Sequence, residues 1–213
     1  RRIGTLRLCE SLARLQTPPR VFVGASGINF YGDQGDRVVD ERDPRGPGFL
    51  GDVCVAWEEG TEPMRAAGVR TVNLRIGVVL SAADGALKQM LPPFRAGVGG
   101  VIGDGSQYMS WIALDDLLGA MLHVVRRDDI AGPVNAVAPG AVTNRELTKA
   151  LGRVLGRPTI LPVPAAALRL ALGEMADEML LASVRAAPRR LLDSGFAFRQ
   201  GQIDEALRHT LGR

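Results

Sequence analysis

Two hydrophobic periods alternate along the chain. IGTLRLCESLARL, residues 3 to 15, places Leu8, Leu12 and Leu15 at i, i+4 and i+7 with Leu6, Cys9 and Ala13 beside them, which predicts an amphipathic helix. After Pro18 and Pro19 the short apolar run of residues 20 to 26 predicts a buried strand, followed by glycine, aspartate and proline turn chemistry to Pro47. Leu50, Val53, Cys54, Trp57 and Met64 then recur at helical spacing, predicting a helix from about Phe49 to Ala67 that stops at Gly68. VRTVNLRIGVVL, 69 to 80, reads as the next buried strand. A short helix at 87 to 94, a strand near 107 to 112 and a helix from Asp115 to Arg126 follow. The last is expected to bury Leu117, Leu118, Met121, Leu122 and Val125. PVNAVA, 133 to 138, is a further strand, and Thr143 with Glu146 forms a capping box opening a helix that ends at Gly156. Short strands at 159 to 163 and 196 to 198 are expected among helices near 165 to 192 and 202 to 211. Strand, helix and strand with long crossovers indicate parallel pairing in an α/β sheet.

The stretch RVFVGASGINFYG, 20 to 32, raises a choice of function. A dinucleotide cradle needs a strand, a glycine turn and at once a helix whose free N–H groups hold the pyrophosphate. Here the helix is missing, because turn residues occupy nearly twenty positions after Phe30. Ser26, at the carboxyl end of the strand, becomes the residue to explain. The glycine loop at 97 to 105 imitates the same pattern but follows no strand, and reads better as a mobile cleft wall.

Composition narrows the class. With 213 residues and 46% hydrophobic positions the chain buries one good core, or a main domain with a small lobe. No apolar run reaches the ~18 residues of a membrane helix, so no membrane partner is expected. Cys9 and Cys54 alone, without a signal peptide, point to packed thiols and a cytoplasmic setting. A net charge of +3 spread along helices, with 5% aromatics, argues against a nucleic-acid surface. His123 and His209 stand apart from other ligand types, so no metal site is expected. A chain opening inside a helix at Arg1 is expected to lack a preceding segment.

Taken together, GASGINFYGDQGDR, LRIGVVLS, LPPFRAGVGGVIGDGSQYMSWIALDD, GPVNAVAP, VTNRELTKALGRVLGRP and ALGEMADEMLLAS resemble the extended short-chain dehydrogenase/reductase superfamily. More narrowly they resemble its epimerase-like, nucleoside-diphosphate-sugar epimerase-related subgroup, whose C-terminal domain is of unknown function. The resemblance implies the C-terminal part of a Rossmann-type doubly wound parallel sheet, residues 1 to 140, with a small mixed α/β C-terminal substrate lobe, residues 141 to 213. It also implies that a Rossmann half of ~80 residues, at ~30 per βαβ unit, precedes Arg1.

The same resemblance implies site residues. Ser26 stands where the superfamily places its active-site serine, with Tyr31 as a second catalytic candidate. Ala25, Ser26, Arg75, Ile76, Gly77, Val78 and Lys88 would surround NADP, NAD not being excluded. Gly27, Asn29, Met109 and Trp111 would face a small-molecule substrate such as a nucleotide sugar. A homodimer through helices 3 to 15 and 49 to 67 is implied too, although those faces are equally satisfied within one chain.

One departure counts against ordinary epimerase chemistry. The superfamily's catalytic Tyr with Lys four residues on is absent: Tyr31 and Tyr108 are followed by Gly35 and Ile112, and the only lysines are Lys88 and Lys149. At its place stand Phe49 or Leu50, with Val53 or Cys54. Each substitute has a plain alternative: Tyr31 a lid over apolar contacts, Lys88 a surface charge, Asp115 an N-cap, Trp111 a core residue. Two functions remain in view: an NADP-linked oxidoreductase or epimerase-like enzyme, and a non-catalytic NADP(H)-binding sensor or scaffold.

Overall fold

The computed structural model describes residues 2–213, without the side chains of residues 171, 172 and 174. Helix α1 (Arg2–Ala13) leads into strand β1 (Val21–Gly27), which ends in a 3₁₀ turn (Ile28–Tyr31), and the short β2 (Val38–Val39) follows. Next come α2 (Phe49–Glu59), α3 (Glu62–Ala66), β3 (Arg70–Ile76), β4 (Val78–Leu80) and α4 (Gly85–Arg95). Strands β5 (Tyr108–Met109) and β6 (Trp111–Ala113), α5 (Leu114–Arg126), β7 (Gly132–Ala136), β8 (Val142–Thr143) and α6 (Asn144–Leu155) complete the middle of the chain. The remainder holds α7 (Ala165–Leu172), α8 (Glu174–Ala176), a π turn (Asp177–Leu181), β9 (Arg185–Ala186), α9 (Arg189–Asp193) and α10 (Ile203–Leu211).

The main sheet is parallel, in the order β1, β3, β7. Side chains alternate across it. Val72 and Leu74 of β3 meet Leu117, Ala120 and Val124 of α5 on one face, whereas on the other Arg75 reaches Glu58 of α2 and Asn73 reaches Thr61, between α2 and α3. Helices therefore cover both faces, the α/β architecture expected. A second core joins α4, α6 and α10 around Leu87, Leu151 and Leu207.

Several predicted elements are subdivided. The helix expected over 49 to 67 is two, because Thr61 leaves helical pairing before Pro63 restarts it in the first turn of α3. The strand expected over 69 to 80 breaks at Gly77, where a Cβ would lie 2.6 Å from the Ser110 carbonyl oxygen. Beyond the break β4 leaves the main sheet and pairs with β6. The strand at 107 to 112 is likewise divided at Ser110, whose hydroxyl donates to the Val184 carbonyl and accepts from Ala186 N–H. Residues 159 to 163 and 196 to 198 form no strand. Val163 makes a single bridge to Ile102, which ties down the glycine loop expected to be a mobile wall. On α5, Leu117 is buried as expected, but Leu118, Leu122 and Val125 are exposed, and the inward positions are taken by Ala120 and Val124, which the periodicity does not single out. The capping box of Thr143 and Glu146 and the left-handed cap at Gly156 form as read.

Candidate functional site

Strand register assembles a polar row at the carboxyl end of the sheet. Ser26 lies opposite Arg75, and Arg75 opposite Asn135. All three side chains are buried. Arg75 meets Glu58 of α2 as a fork, Nε to Oε1 at 2.8 Å and Nη2 to Oε2 at 2.9 Å. The Ser26 hydroxyl donates to the same Oε1 at 2.9 Å. The Arg75 guanidinium lies 3.4 Å from the Phe30 ring centroid, a close cation–π contact.

Tyr31 closes the row. Its hydroxyl donates to Asn135 Oδ1 at 2.8 Å and accepts from Arg75 Nη1 at 3.1 Å. Burial pushes the phenol above its usual value despite the pull of Arg75. Asn135 in turn donates through Nδ2 to the Ala187 carbonyl and through its backbone N–H to Glu41 Oε1. Glu41 also accepts from Arg190 N–H, while its buried Oε2 has no hydrogen-bond partner. Burial raises this carboxyl, opposed by the N–H groups of Asn135 and Arg190. Ser26, Tyr31 and Arg75 are thus brought together, but as members of a closed network. Glu58, Asn135 and Glu41 belong to it and sequence reasoning passed over them.

Open space lies beside this network, next to Asn29 and Gly32 at either side of Phe30 and Tyr31. A cavity of about 240 Å³ is bounded by the loop after β1 (Asn29, Gly32, Asp33), the entry to α2 (Pro47 to Gly51) and the C-terminal strap 177 to 184. Glu178 holds the strap down: its two carboxylate oxygens accept from Phe49 N–H at 2.9 Å and Leu50 N–H at 2.7 Å. Asp33 does the same from the other side, accepting from Ser183 N–H at 3.2 Å. A larger cavity of about 400 Å³ under Leu118, Leu122 and Phe196 lies on the outer side of α5.

Other expected residues fall elsewhere. Gly27 ends β1 with its Cα close to Cys54, whose thiol burial pushes up. Ala25 is exposed on β1, the outer strand of the sheet as described, and Ile76, Gly77 and Val78 form the crossing from β3 to β4. Lys88 is exposed on α4. Met109 packs against the second core and Trp111 is fully inside it, its Nε1 donating to the Gly140 carbonyl at 2.8 Å, so Trp111 is no substrate platform. Asp115 does not cap α5, whose N-cap is Ala113; it pairs with His209 at 2.7 Å. Cys9 packs on Met64 and Val69 within the chain, so that part of the α1 face is satisfied internally. Among the described residues no cluster suits a metal ion, and no helix is long and apolar enough to cross a membrane. β1 runs into a 3₁₀ turn and not a helix, so it forms no pyrophosphate cradle.

Comparison with known proteins gives this arrangement a lineage. A model described as a domain of unknown function, DUF1731, matches residues 163–210. An epimerase family protein of Mycobacterium bovis is 47% identical over 90% of the chain, which spans 64% of that relative's length. The bovine epimerase family protein SDR39U1 is 34% identical over 97% of the chain, covering 71% of the relative. The crystal structure of human epimerase family protein SDR39U1 (isoform 2) with NADPH superposes with a TM-score of 0.92 at 30% identity, covering all of this chain and 72% of that one. The α/β fold is therefore Rossmann-like, and the chain belongs to the epimerase family of extended short-chain dehydrogenase/reductases.

Proposed function

We propose that the chain forms the substrate-facing part of a cytoplasmic NADP(H)-linked oxidoreductase or epimerase-like enzyme, with residues after about 141 as the substrate lobe. The observation that carries this reading is the NADPH-bound human relative of the same fold. Ala25, Ile76, Gly77 and Val78, at the open ends of β1 and β3, are the residues here suited to flank the reactive end of a dinucleotide. That cofactor supplies a hydride donor or acceptor when bound. Arg75 fits less well as a phosphate ligand, because Glu58 already neutralises it, and Lys88 stands away on α4.

Ser26 keeps a supporting role in this reading. Its proton points to Glu58, so its lone pairs are what it can offer an alcohol, and Tyr31 acts by fixing Arg75. Leu50 lines the cavity at a position where the superfamily's phenol is expected, so hydride transfer would rest on placement more than on acid–base assistance. The second reading, a non-catalytic NADP(H)-binding sensor or scaffold, is favoured by the same engaged Tyr31 hydroxyl and the missing lysine partner.

Titrating the protein at its natural length with NADPH, read by quenching of Trp57 and Trp111, tests the shared part of both readings. Saturable quenching is expected; its absence overturns both. Turnover of a carbonyl or alcohol substrate with the bound cofactor then separates them, and with that assay in hand an unchanged rate in Ser26→Ala removes Ser26 from the site.

A further inference from the structure

The cavity at the entry to α2 has a charge and size that narrow its ligand. We infer that it takes a small uncharged or positively charged molecule and excludes nucleoside diphosphate sugars. The inference rests on reading this cavity as the substrate site.

Three features converge on it. First, the anion-binding end of α2 is already filled. Free N–H groups and the helix dipole make such an end the usual seat of a phosphate, yet here Phe49 and Leu50 donate to both oxygens of Glu178. A diphosphate entering this space meets a carboxylate where it needs a donor. Second, the surrounding charge has one sign. Asp33, Asp177 and Glu178 border the cavity, and none of its described lining residues is Lys, Arg or His. Arg169 offsets Asp177 from its far side, at 2.9 Å, and is itself half exposed. A cleft lined by one sign of charge raises the local concentration of the opposite sign by 10- to ~1000-fold and lowers that of its own.

Third, the volume of about 240 Å³ falls below the ~300–1,000 Å³ of sites that enclose drug-sized ligands. Leu50, Ala182 and Val184 give it apolar walls. Asn29 supplies the neutral polar contact: its Nδ2 reaches the Glu178 carbonyl only at 3.5 Å, too long for a good bond, which leaves the amide free for a ligand hydroxyl, carbonyl or amine. The ligand this describes is compact, carries one or two polar groups and has no phosphate.

The test reads the potential inside the cavity without needing the ligand. A Leu50→Cys variant is treated with two methanethiosulfonates of similar size, one carrying trimethylammonium and one carrying sulfonate, with the unsubstituted protein as background for Cys9 and Cys54. The same thiolate attacks the sulfenyl sulfur of either reagent and expels methanesulfinate, so the ratio of the two rates, divided by the ratio for free cysteine, removes the effect of thiol pKa. A preference of about tenfold or more for the cationic reagent is expected, reduced when Glu178→Gln or Asp33→Asn is added. Equal rates, or a preference for the sulfonate, overturn the inference. UDP-glucose is expected to leave labelling unchanged, and protection by it also overturns the inference. Ala182→Cys on the opposite wall serves as a second reporter; labelling at neither position shows that the cavity is closed to small solutes and overturns it too. Because no step uses NADPH, failure of the cofactor reading leaves this outcome intact.

Discussion

The carboxyl ends of β1 and β3 carry two regions that differ in one respect. In the row from Ser26 through Arg75 to Asn135, almost every polar atom already has a partner. In the adjoining cavity, Asn29, Asp33, Asp177 and Glu178 border open space, and the Asn29 amide has no close partner there. The residue types associated with chemistry, serine, tyrosine and arginine, sit in the first region, while the room for a ligand lies in the second. The lesson is that reactivity depends on unused hydrogen-bonding capacity, and a buried ion pair with a full set of neighbours has little to offer a substrate. The Glu58–Arg75 pair holds sheet and helix in one geometry instead, its two side chains 13% and 5% exposed.

The sharpest way to break this contrast is to remove one half of that pair. Glu58→Ala leaves a buried guanidinium with Tyr31 as its hydrogen-bond partner and the Phe30 ring beside it, and a loss of about 3–5 kcal/mol is expected in urea unfolding, part of which Arg75→Met returns when added to it. A loss under ~1 kcal/mol would mean that water reaches Arg75 and that the row is open after all. Tyr31→Phe is the next step down. It strands Asn135 Oδ1 and one Arg75 N–H, at an expected cost of about 1–3 kcal/mol, with NADPH affinity unchanged. Full stability combined with lost turnover would return Tyr31 to the catalytic group.

The smallest effect concerns Glu41. Its folded carboxyl titrates above the ordinary 4.5, because burial disfavours the charge. The native state therefore holds the proton more tightly than the unfolded chain, and this group's contribution is complete below 4.5 and declines as pH rises through the folded value. Glu41→Gln, which imitates the protonated acid, removes that decline. Melting curves of parent and variant are expected to meet in acid and to separate towards neutral pH with the variant the more stable. Parallel curves would show that Oε2 is solvated.

The sequence made the main sheet readable, since short apolar runs separated by helical periods leave few alternatives to parallel strands. It made the site less readable, for reasons that differ by residue. Glu58 resembles any acid on a solvated helix; only the register that puts Arg75 beneath it shows otherwise. A trace existed in TVNLRI, where Thr71, Asn73 and Arg75 alternate with Val72, Leu74 and Ile76, so that a fully buried strand presents one polar face. Trp111 misled in the opposite direction, because a large aromatic near a cleft satisfies its N–H on the Gly140 carbonyl and faces inwards. Glu178 was invisible, as its partners Phe49 and Leu50 are more than a hundred positions away. The new helix start marked by Pro63 and the strand break at Gly77 were signalled by residues whose geometry decides the matter, and periodicity ran across both.

The strap from residue 177 to 184 has a consequence for how relatives diverge. It forms one wall of the cavity and is fastened by Glu178 to the entry of α2, by Asp33, Gln34 and Gly35 to the loop after β1, and by Gln107, Tyr108 and Ser110 to the strands β5 and β6 and their approach, while the sheet strands β1, β3 and β7 contribute no residue to that wall. Exchanging this short segment changes the company a ligand keeps without touching the register of the sheet. Ligand preference can drift in such a lineage while the frame stays constant, so a shared fold among these proteins is weak evidence for a shared substrate.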